Sequence, residues 1–160
     1  MTLAYLGIGS NLERKRHIQA AYQALQQLGQ VRPSKVYACA AVGFQSHEFY
    51  NLVIELETEL ELSQLKQTLR DIETKLGRPE DAKKLQPRCI DIDILLYGDY
   101  VSNRDPCLPR PDIFNYEFVI LPLYELCPQT LVPNDGRSIA QIWQAFSPKG
   151  SLTQVEFEWR

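Results

Sequence analysis

A stretch beginning at Ile90, with the sequence IDIDILLY, alternates apolar side chains with aspartates and then becomes wholly apolar. Side chains two apart on a β-strand point to the same side, so a strand here buries Ile90, Ile92 and Ile94. Asp91 and Asp93 then share the opposite face. The pattern predicts a sheet with one packed face. Because aspartate is uncommon in strands, it also indicates that the two carboxylates on the other face have a specific interaction partner.

This carboxylate pair has two interpretations. Adjacent carboxylates repel and raise each other's pKa unless a cation joins them. Magnesium suits such a pair, because it binds through one or two carboxylates and takes its other ligands from water and substrate phosphates. A polar strand face that is salt-bridged to nearby lysines explains the spacing equally well. Spacing alone leaves both interpretations open.

The segment before this strand, residues 78–88, reads RPEDAKKLQPR and is expected to form a charged loop. Its four basic and two acidic residues give it a charge of +2, in a chain whose net charge is −3. Arg88 lies three residues before Asp91, where a guanidinium can reach phosphate oxygens held by the same cation. The alternative is a solvated loop with no ligand.

Periodicity elsewhere predicts a mixed domain. Strands are expected over 3–8, 31–38 with a break at Pro33, 49–56 and 90–97, and a further edge strand over 154–159. Helices are expected over 18–28, 65–76, 117–126 and 138–146, with Ser10 or Asn11 capping the first and Ser63 the second. Gly7 to Asn11 is interpreted as a tight strand-to-helix turn, and both histidines, His17 and His47, are expected at the surface.

The order strand–helix–strand–strand–helix–strand predicts an α+β fold, a ferredoxin-like sandwich of an antiparallel sheet and packed helices. An extended C-terminal half follows, and residues 1–160 are expected to form a single domain. Hydrophobic residues make up 44% of the chain and charged residues 23%, which excludes disorder as the main state. The acidic pI of about 5.4 argues against general nucleic-acid binding.

The composition also bears on location. The longest apolar run, 118–124, has seven residues, far fewer than the roughly 20 that a membrane span needs. The N-terminus lacks the pattern of a secretory signal, and the four cysteines are widely spaced without a C-x-x-C motif. A cytoplasmic protein with no membrane partner is expected.

Six segments stand out when they are taken together. They are PRCIDIDIL at 87–95, AYLGIGSNL at 4–12, FYN at 49–51, Ile72-Glu73, LGR at 76–78 and the stretch 118–133. In this order and spacing they resemble the 6-hydroxymethyl-7,8-dihydropterin pyrophosphokinase family, and the resemblance covers about residues 3–146. The resemblance implies transfer of pyrophosphate from ATP to the hydroxymethyl group of the pterin, with release of AMP, in folate biosynthesis.

The resemblance also implies roles for matching residues. ATP is the co-substrate, and Asp91 and Asp93 would hold two Mg²⁺ ions that bridge its phosphates. The candidate catalytic residues are Arg78, Arg88, Asp91 and Asp93. The candidate nucleotide-binding residues are Glu73, Lys84, Arg88 and Arg110, with Lys84 included for the charge of its loop. The candidate pterin-binding residues are Val42 and Gly43 in a pocket loop, Phe49, Asn51 at the pterin edge, and Phe118 stacked on its ring.

Several positions depart from the family pattern. Arg110 replaces a histidine, Phe49 a tyrosine and Ala40-Ala41 a proline pair. Four further changes lie on the substrate side. Glu80 replaces a second arginine, Leu85 an aromatic residue, Gln86 a small residue and Tyr116 an arginine. These departures support a second hypothesis, a catalytically weakened or inactive homologue that binds a nucleotide or pterin in another role. An RNA-binding ferredoxin-like domain is a third, which the acidic pI and the aspartate-bearing strand disfavour. A monomer acting on small molecules is expected, although an unpaired C-terminal edge strand would also permit a dimer.

Overall fold

The computed structural model describes residues 1–39, 48–77, 90–147, 150 and 152–160. Its strands are β1 (Thr2–Ser10), β2 (Gly29–Pro33), β3 (Val36–Cys39), β4 (Phe49–Thr58), β5 (Asp91–Tyr97) and β6 (Thr153–Val155). Its helices are α1 (Arg14–Gln26), α2 (Leu62–Lys75), α3 (Asp112–Asn115), α4 (Glu117–Leu126) and α5 (Ile139–Ala145).

The strands form one six-stranded antiparallel sheet in the order β5-β1-β4-β3-β6, with β2 also paired to β4. β2 and β3 are two parts of one broken strand, because they pair with opposite halves of β4. Pro33, which has no N–H to donate, ends the first part. Ser34 bridges the break, since its Oγ accepts a hydrogen bond from Val53 N at 2.9 Å. The break expected at Pro33 is therefore confirmed.

Helices α1 and α2 pack on one face of the sheet. The shared core contains Leu6 of β1, Ile54 of β4 and Ile92 of β5, packed against Ile18 of α1 and Leu65 of α2, and all of these side chains are buried. This β–α–β–β–α–β arrangement on an antiparallel sheet confirms the expected ferredoxin-like α+β sandwich, with the second strand divided into β2 and β3.

The C-terminal half supplies a third layer on the other face. Buried residues of α3, α4 and α5 pack there against Tyr5, Val53 and Leu95 of the central strands. Arg32 ties the layers together, because its Nη2 donates to Glu55 Oε2 at 3.0 Å and to the carbonyl of Leu126 at 2.7 Å. This contact holds the C-terminal end of α4, the helix whose first turn enters the site.

Both predicted helix caps are wrong. Helix α1 begins after Glu13, which adopts a left-handed conformation with φ 44°, so neither Ser10 nor Asn11 is its cap. Helix α2 begins after Glu61, which forms a capping box with Gln64, so Ser63 lies inside the helix.

The histidine prediction also fails at His17. This side chain is buried, and its Nδ1 lies 2.7 Å from the carbonyl oxygen of Leu12. His47 lies outside the described residues.

The C-terminal segment completes the sheet of its own chain. β6 pairs antiparallel with β3, which confirms an added edge strand, although it covers only Thr153–Val155. Beyond it the segment leaves the sheet and Trp159 packs against Tyr22 of α1, with ring centroids 4.6 Å apart. Among the described residues, no helix has the length and apolarity to cross a membrane.

Candidate active site

A cavity of about 400 Å³ opens on the sheet face that the C-terminal layer covers only in part. Its floor is the end of β1 at Gly7 and Gly9, which lie between residues of β4 and β5. The cavity is lined by Gly7, Ile8, Gly9, Cys39, Phe49, Asn51, Leu52, Asp91, Asp93, Leu95, Arg110, Asp112, Tyr116, Phe118 and Val119.

The two aspartates share the cavity side of β5. Asp91 pairs with Gly9 and Asp93 with Gly7 across the β1–β5 ladder. Ile92 between them is buried in the α1/α2 core, which confirms the predicted alternation of faces. Because both partners are glycines, β1, which the structure describes in full, places no side chain directly opposite either carboxylate.

The carboxylate of Asp93 has a perturbed pKa. Its pKa is raised to about 7, first by burial and then by the negative charge of Asp91, against the opposing charge of Arg110. Arg110 Nη2 lies 3.5 Å from Asp93 Oδ2, and Arg110 Nε lies 3.1 Å from Asp112 Oδ2. The described lining thus brings three carboxylates, Asp91, Asp93 and Asp112, close to one guanidinium.

The donor set fits a magnesium ion that is completed by substrate. No group of three or more histidine, cysteine, aspartate or glutamate side chains suited to a metal occurs in the described part of the chain. Two carboxylates facing an open cavity leave most of the coordination sphere to water and phosphate oxygens. Magnesium is commonly bound in this way at phosphoryl-transfer sites.

Asn51 forms the opposite wall. It is a buried residue of β4 that pairs with Gly9, and its Nδ2 donates to Cys39 Sγ at 2.9 Å. Burial raises the pKa of the Cys39 thiol to about 11, so the sulfur is an uncharged partner at neutral pH. The hydrogen bond orients the amide, whose carbonyl oxygen and second N–H are the acceptor and donor that the edge of a planar heterocycle requires.

An aromatic wall closes the cavity above the sheet. Phe118 in the first turn of α4 stacks against Tyr116, with ring centroids 5.0 Å apart and an angle of 26° between the planes. Tyr116 is 46% exposed, so the pair presents aromatic surface at the cavity mouth. A flat heteroaromatic ligand can stack on such a surface while Asn51 bonds its edge.

Glu73 of α2 lies behind the strand that carries the aspartates. It is buried, and its Oε2 accepts a hydrogen bond of 2.8 Å from Ile92 N. That N–H is on the outer edge of β5, the edge strand of the sheet. Glu73 is not among the cavity-lining residues that the structure describes, and its observed contact holds the backbone between the two aspartates.

The structure thus brings six of the predicted site residues to one cavity. These are Phe49, Asn51, Asp91, Asp93, Arg110 and Phe118. The predicted residues Val42, Gly43, Arg78, Lys84 and Arg88 lie outside the described residues, as do Glu80, Leu85 and Gln86.

Sequence reasoning missed the floor of the cavity. Gly7 and Gly9 are residues of β1 with extended partners on both sides, so the predicted strand-to-helix turn at this point is wrong. Their spacing of two was the available signal, because it places both on one face of a strand. Glycine inside a strand often marks a place where a ligand or another backbone approaches closely. Asp112, which contacts Arg110, was also missed.

Comparison with known proteins agrees with this geometry. Residues 5–128 match the model of the 7,8-dihydro-6-hydroxymethylpterin-pyrophosphokinase (HPPK) family. A Haemophilus influenzae 2-amino-4-hydroxy-6-hydroxymethyldihydropteridine pyrophosphokinase is 36% identical over 140 residues, covering 84% of this chain and 87% of the relative. An Aquifex aeolicus protein of the same name is 35% identical over 156 residues, covering 95% of this chain and 94% of the relative.

Solved structures share the fold. A Plasmodium falciparum HPPK-DHPS A437G structure with STZ-DHP superposes with a TM-score of 0.72 at 12% identity, over 89% of this chain. This chain spans 45% of the length of that solved chain. The family-model match over most of the chain and the two curated relatives together assign the family: this chain belongs to the 7,8-dihydro-6-hydroxymethylpterin-pyrophosphokinase family.

Proposed function

We propose that this chain transfers pyrophosphate from ATP to the hydroxymethyl group of 6-hydroxymethyl-7,8-dihydropterin and releases AMP, a step of folate biosynthesis. One observation carries the proposal. A carboxylate pair suited to magnesium and a buried amide beside an aromatic wall face the same cavity, across a floor of two glycines. Such a cavity can bind a polyphosphate at one side and a planar heterocycle at the other.

The pterin side of the cavity is formed by Asn51, Phe118 and Phe49. Asn51 would hydrogen-bond the amide-like edge of the pterin, and its own orientation is held by Cys39. Phe118 would stack on the ring, with Tyr116 extending the aromatic surface. Val42 and Gly43 are proposed to line the same side.

The phosphate side is formed by Asp91, Asp93 and Arg110. The aspartates would hold Mg²⁺, two ions in this proposal, which when bound neutralise the charge of the ATP phosphates. Arg78, Lys84 and Arg88 would add positive charge from the segment that precedes β5. Glu73 would support this side by holding the Ile92 N–H, which fixes the spacing of the two aspartates.

The chemistry asked of the protein is mainly positioning. The hydroxymethyl oxygen attacks the β-phosphorus of ATP, the bond from that phosphorus to the α,β-bridging oxygen breaks, and AMP departs with that oxygen. The hydroxyl proton is lost as the new ester bond forms. Binding both substrates on one rigid sheet face aligns nucleophile and phosphorus, and such alignment is a large part of catalysis in phosphoryl transfer.

A second candidate function follows from Tyr116. The resemblance implies an arginine here, whereas Tyr116 stacks on Phe118 and brings no charge to the phosphates. A weakened or inactive homologue that binds a nucleotide or pterin in another role would retain this cavity. In that case both ligands bind and AMP is not formed.

We further propose that the chain acts on small molecules as a monomer in the cytoplasm. The monomer is supported by β6, which pairs with β3 of its own chain.

The test is AMP release by the purified chain with ATP, Mg²⁺ and 6-hydroxymethyl-7,8-dihydropterin. Asp91→Asn and Asp93→Asn should each lower the rate by at least about 10²-fold, since each removes a charge that holds the metal. Asp99→Asn, the same substitution at an exposed turn residue, is the matched control and should retain the rate. Absence of AMP in folded protein that still binds both substrates would favour the second candidate.

A further inference from the structure

Arg110 is tied to one of the two carboxylates that we propose as magnesium ligands. Its Nη2 lies 3.5 Å from Asp93 Oδ2. Among the cavity-lining residues that the structure describes, it is the only cation. A guanidinium in that position neutralises Asp93 and occupies space that a metal ion bound to the same oxygen would need.

We propose that Arg110 is the resident counter-ion of Asp93, and that it leaves Asp93 for the phosphates when the nucleotide binds. This inference rests on the proposed function, since it assumes that the same cavity binds metal and nucleotide. Its consequence is that metal and nucleotide bind cooperatively, because the phosphates draw away the group that competes with the metal.

The backbone at Arg110 is suited to such an exchange. Arg110 N donates to the carbonyl of Leu95 at 3.0 Å, so its main chain is fastened to β5 two residues beyond Asp93. Pro109 and Pro111 flank it and restrict the chain on both sides. The α-carbon is therefore held in place, and only the side chain needs to rotate from one acceptor to another.

The present contacts of the guanidinium leave it incompletely satisfied. Its Nε is buried and lies 3.1 Å from Asp112 Oδ2, yet this pair lacks hydrogen-bond geometry. The contact to Asp93 is longer still, at 3.5 Å. Phosphate oxygens accept two parallel hydrogen bonds from arginine, so a nucleotide phosphate offers Arg110 better partners than either aspartate does here.

The charges around Arg110 explain why moving its guanidinium from Asp93 to a phosphate favours metal binding. Arg110 faces two carboxylates, since Asp93 Oδ2 lies 3.5 Å from its Nη2 and Asp112 Oδ2 lies 3.1 Å from its Nε. When Arg110 turns to a phosphate, its positive charge moves away from these carboxylates, and a metal ion then gains affinity for them. Coupling of this kind is reciprocal, so metal raises nucleotide affinity by the same factor.

The test is Mn²⁺ binding measured by electron paramagnetic resonance, first with protein alone and then with α,β-methylene-ATP, and with no pterin present. Arg110→Gln removes the competing charge and should bind Mn²⁺ about tenfold more tightly without nucleotide, within the usual range of coupling between sites. The gain in Mn²⁺ affinity on adding nucleotide should be correspondingly smaller than in the wild type. Arg110→Lys keeps the charge and should resemble the wild type in nucleotide-free binding.

Two further variants make the result specific. Arg32→Gln is the same substitution at the α4 contact outside the cavity and should leave Mn²⁺ affinity unchanged. When Asp93→Asn is present in both proteins, Arg110→Gln should raise the nucleotide-free Mn²⁺ affinity much less, because only the longer-range effect on the other carboxylates remains. Equal or weaker Mn²⁺ binding by Arg110→Gln without nucleotide would overturn the inference, as would an effect of undiminished size with Asp93→Asn.

This result is separable from the proposed function. No step of the measurement requires turnover or the pterin. Tighter Mn²⁺ binding by Arg110→Gln together with no AMP release by the wild type would sustain the counter-ion role and refute the proposed pyrophosphokinase activity.

Discussion

A methyl group placed on Gly9 would lie 2.9 Å from Asn51 Oδ1, closer than the Cβ atom of a real side chain approaches another atom. The two residues are paired across β1 and β4, and both face the cavity. The absent side chain at Gly9 therefore leaves the space in which the Asn51 amide is held. On the other side of Gly9 lies Asp91, so the same glycine separates the proposed pterin and phosphate sides.

Gly9→Ala should weaken pterin binding by about tenfold or more, because the new methyl group displaces the amide that we propose reads the pterin edge. Gly7→Ala is the matched comparison, since its methyl group would meet Leu95 at an ordinary 3.4 Å. Its effect should stay within about threefold. Isothermal titration with the pterin measures both. Equal losses for the two variants would contradict the role of the Gly9–Asn51 contact.

Asp93→Asn should stabilise the metal-free protein at high pH. The folded-state pKa of Asp93 is about 7, whereas an unfolded aspartate titrates near 3.9. Between these values the folded state holds a proton that the unfolded state has lost, so stability falls as pH rises through this window. The variant does not titrate there.

The free energy of unfolding of Asp93→Asn should therefore increase relative to that of the wild type as the pH is raised from about 5 to about 8. We expect a relative gain on the order of 1 kcal/mol, reduced because about a third of the side chain is exposed. Urea unfolding in EDTA at the two pH values measures this difference. A difference that does not change with pH would show that Asp93 is not perturbed.

Phe118→Leu should weaken pterin binding by about fivefold, corresponding to about 1 kcal/mol of lost stacking, while ATP binding is retained. Tyr116→Leu should have a smaller effect in the same direction, because Tyr116 reaches the cavity beside Phe118 at its exposed mouth. Fluorescence titration of each variant with the pterin and, separately, with ATP measures the two affinities. Loss of ATP affinity alone would place Phe118 on the phosphate side instead.

Glu73→Leu should destabilise the fold by about 1–3 kcal/mol, since Ile92 N would lose its buried acceptor. Glu73→Gln keeps an acceptor at the same position and should lose much less. If Glu73 acts by positioning β5, metal affinity should follow the same order, with Gln near the wild type. Thermal unfolding and Mn²⁺ titration test this, and equal loss in both variants would indicate that the charge itself matters.

The periodicity of the sequence predicted which side chains of a single strand or helix face the core. The alternation from Ile90 placed Asp91 and Asp93 correctly. When the isoleucines of a strand face the core, the residues between them must lie on the opposite face. The same reasoning would have corrected the prediction for His17. This residue is four residues before Ala21 and eight before Leu25, so it belongs to the buried stripe of α1.

Other features of the site depend on the path of the chain. Arg110 meets Asp93 because residues 98–109 return the chain to β5, where Arg110 N bonds to Leu95, and no periodic pattern encodes that return. Cap positions likewise depend on backbone conformation, as the left-handed Glu13 shows. The ion pair between Arg110 and Asp93 in the cavity lining was therefore not predictable from the sequence.

The most direct test of the account is ³¹P nuclear magnetic resonance of the reaction with ATP, Mg²⁺ and 6-hydroxymethyl-7,8-dihydropterin. We expect AMP and a diphosphate ester of the pterin in equal amounts, with both formed at least about 10²-fold more slowly by Asp93→Asn. Formation of ADP with a pterin monophosphate, of free phosphate without pterin product, or of no product by folded protein would contradict it.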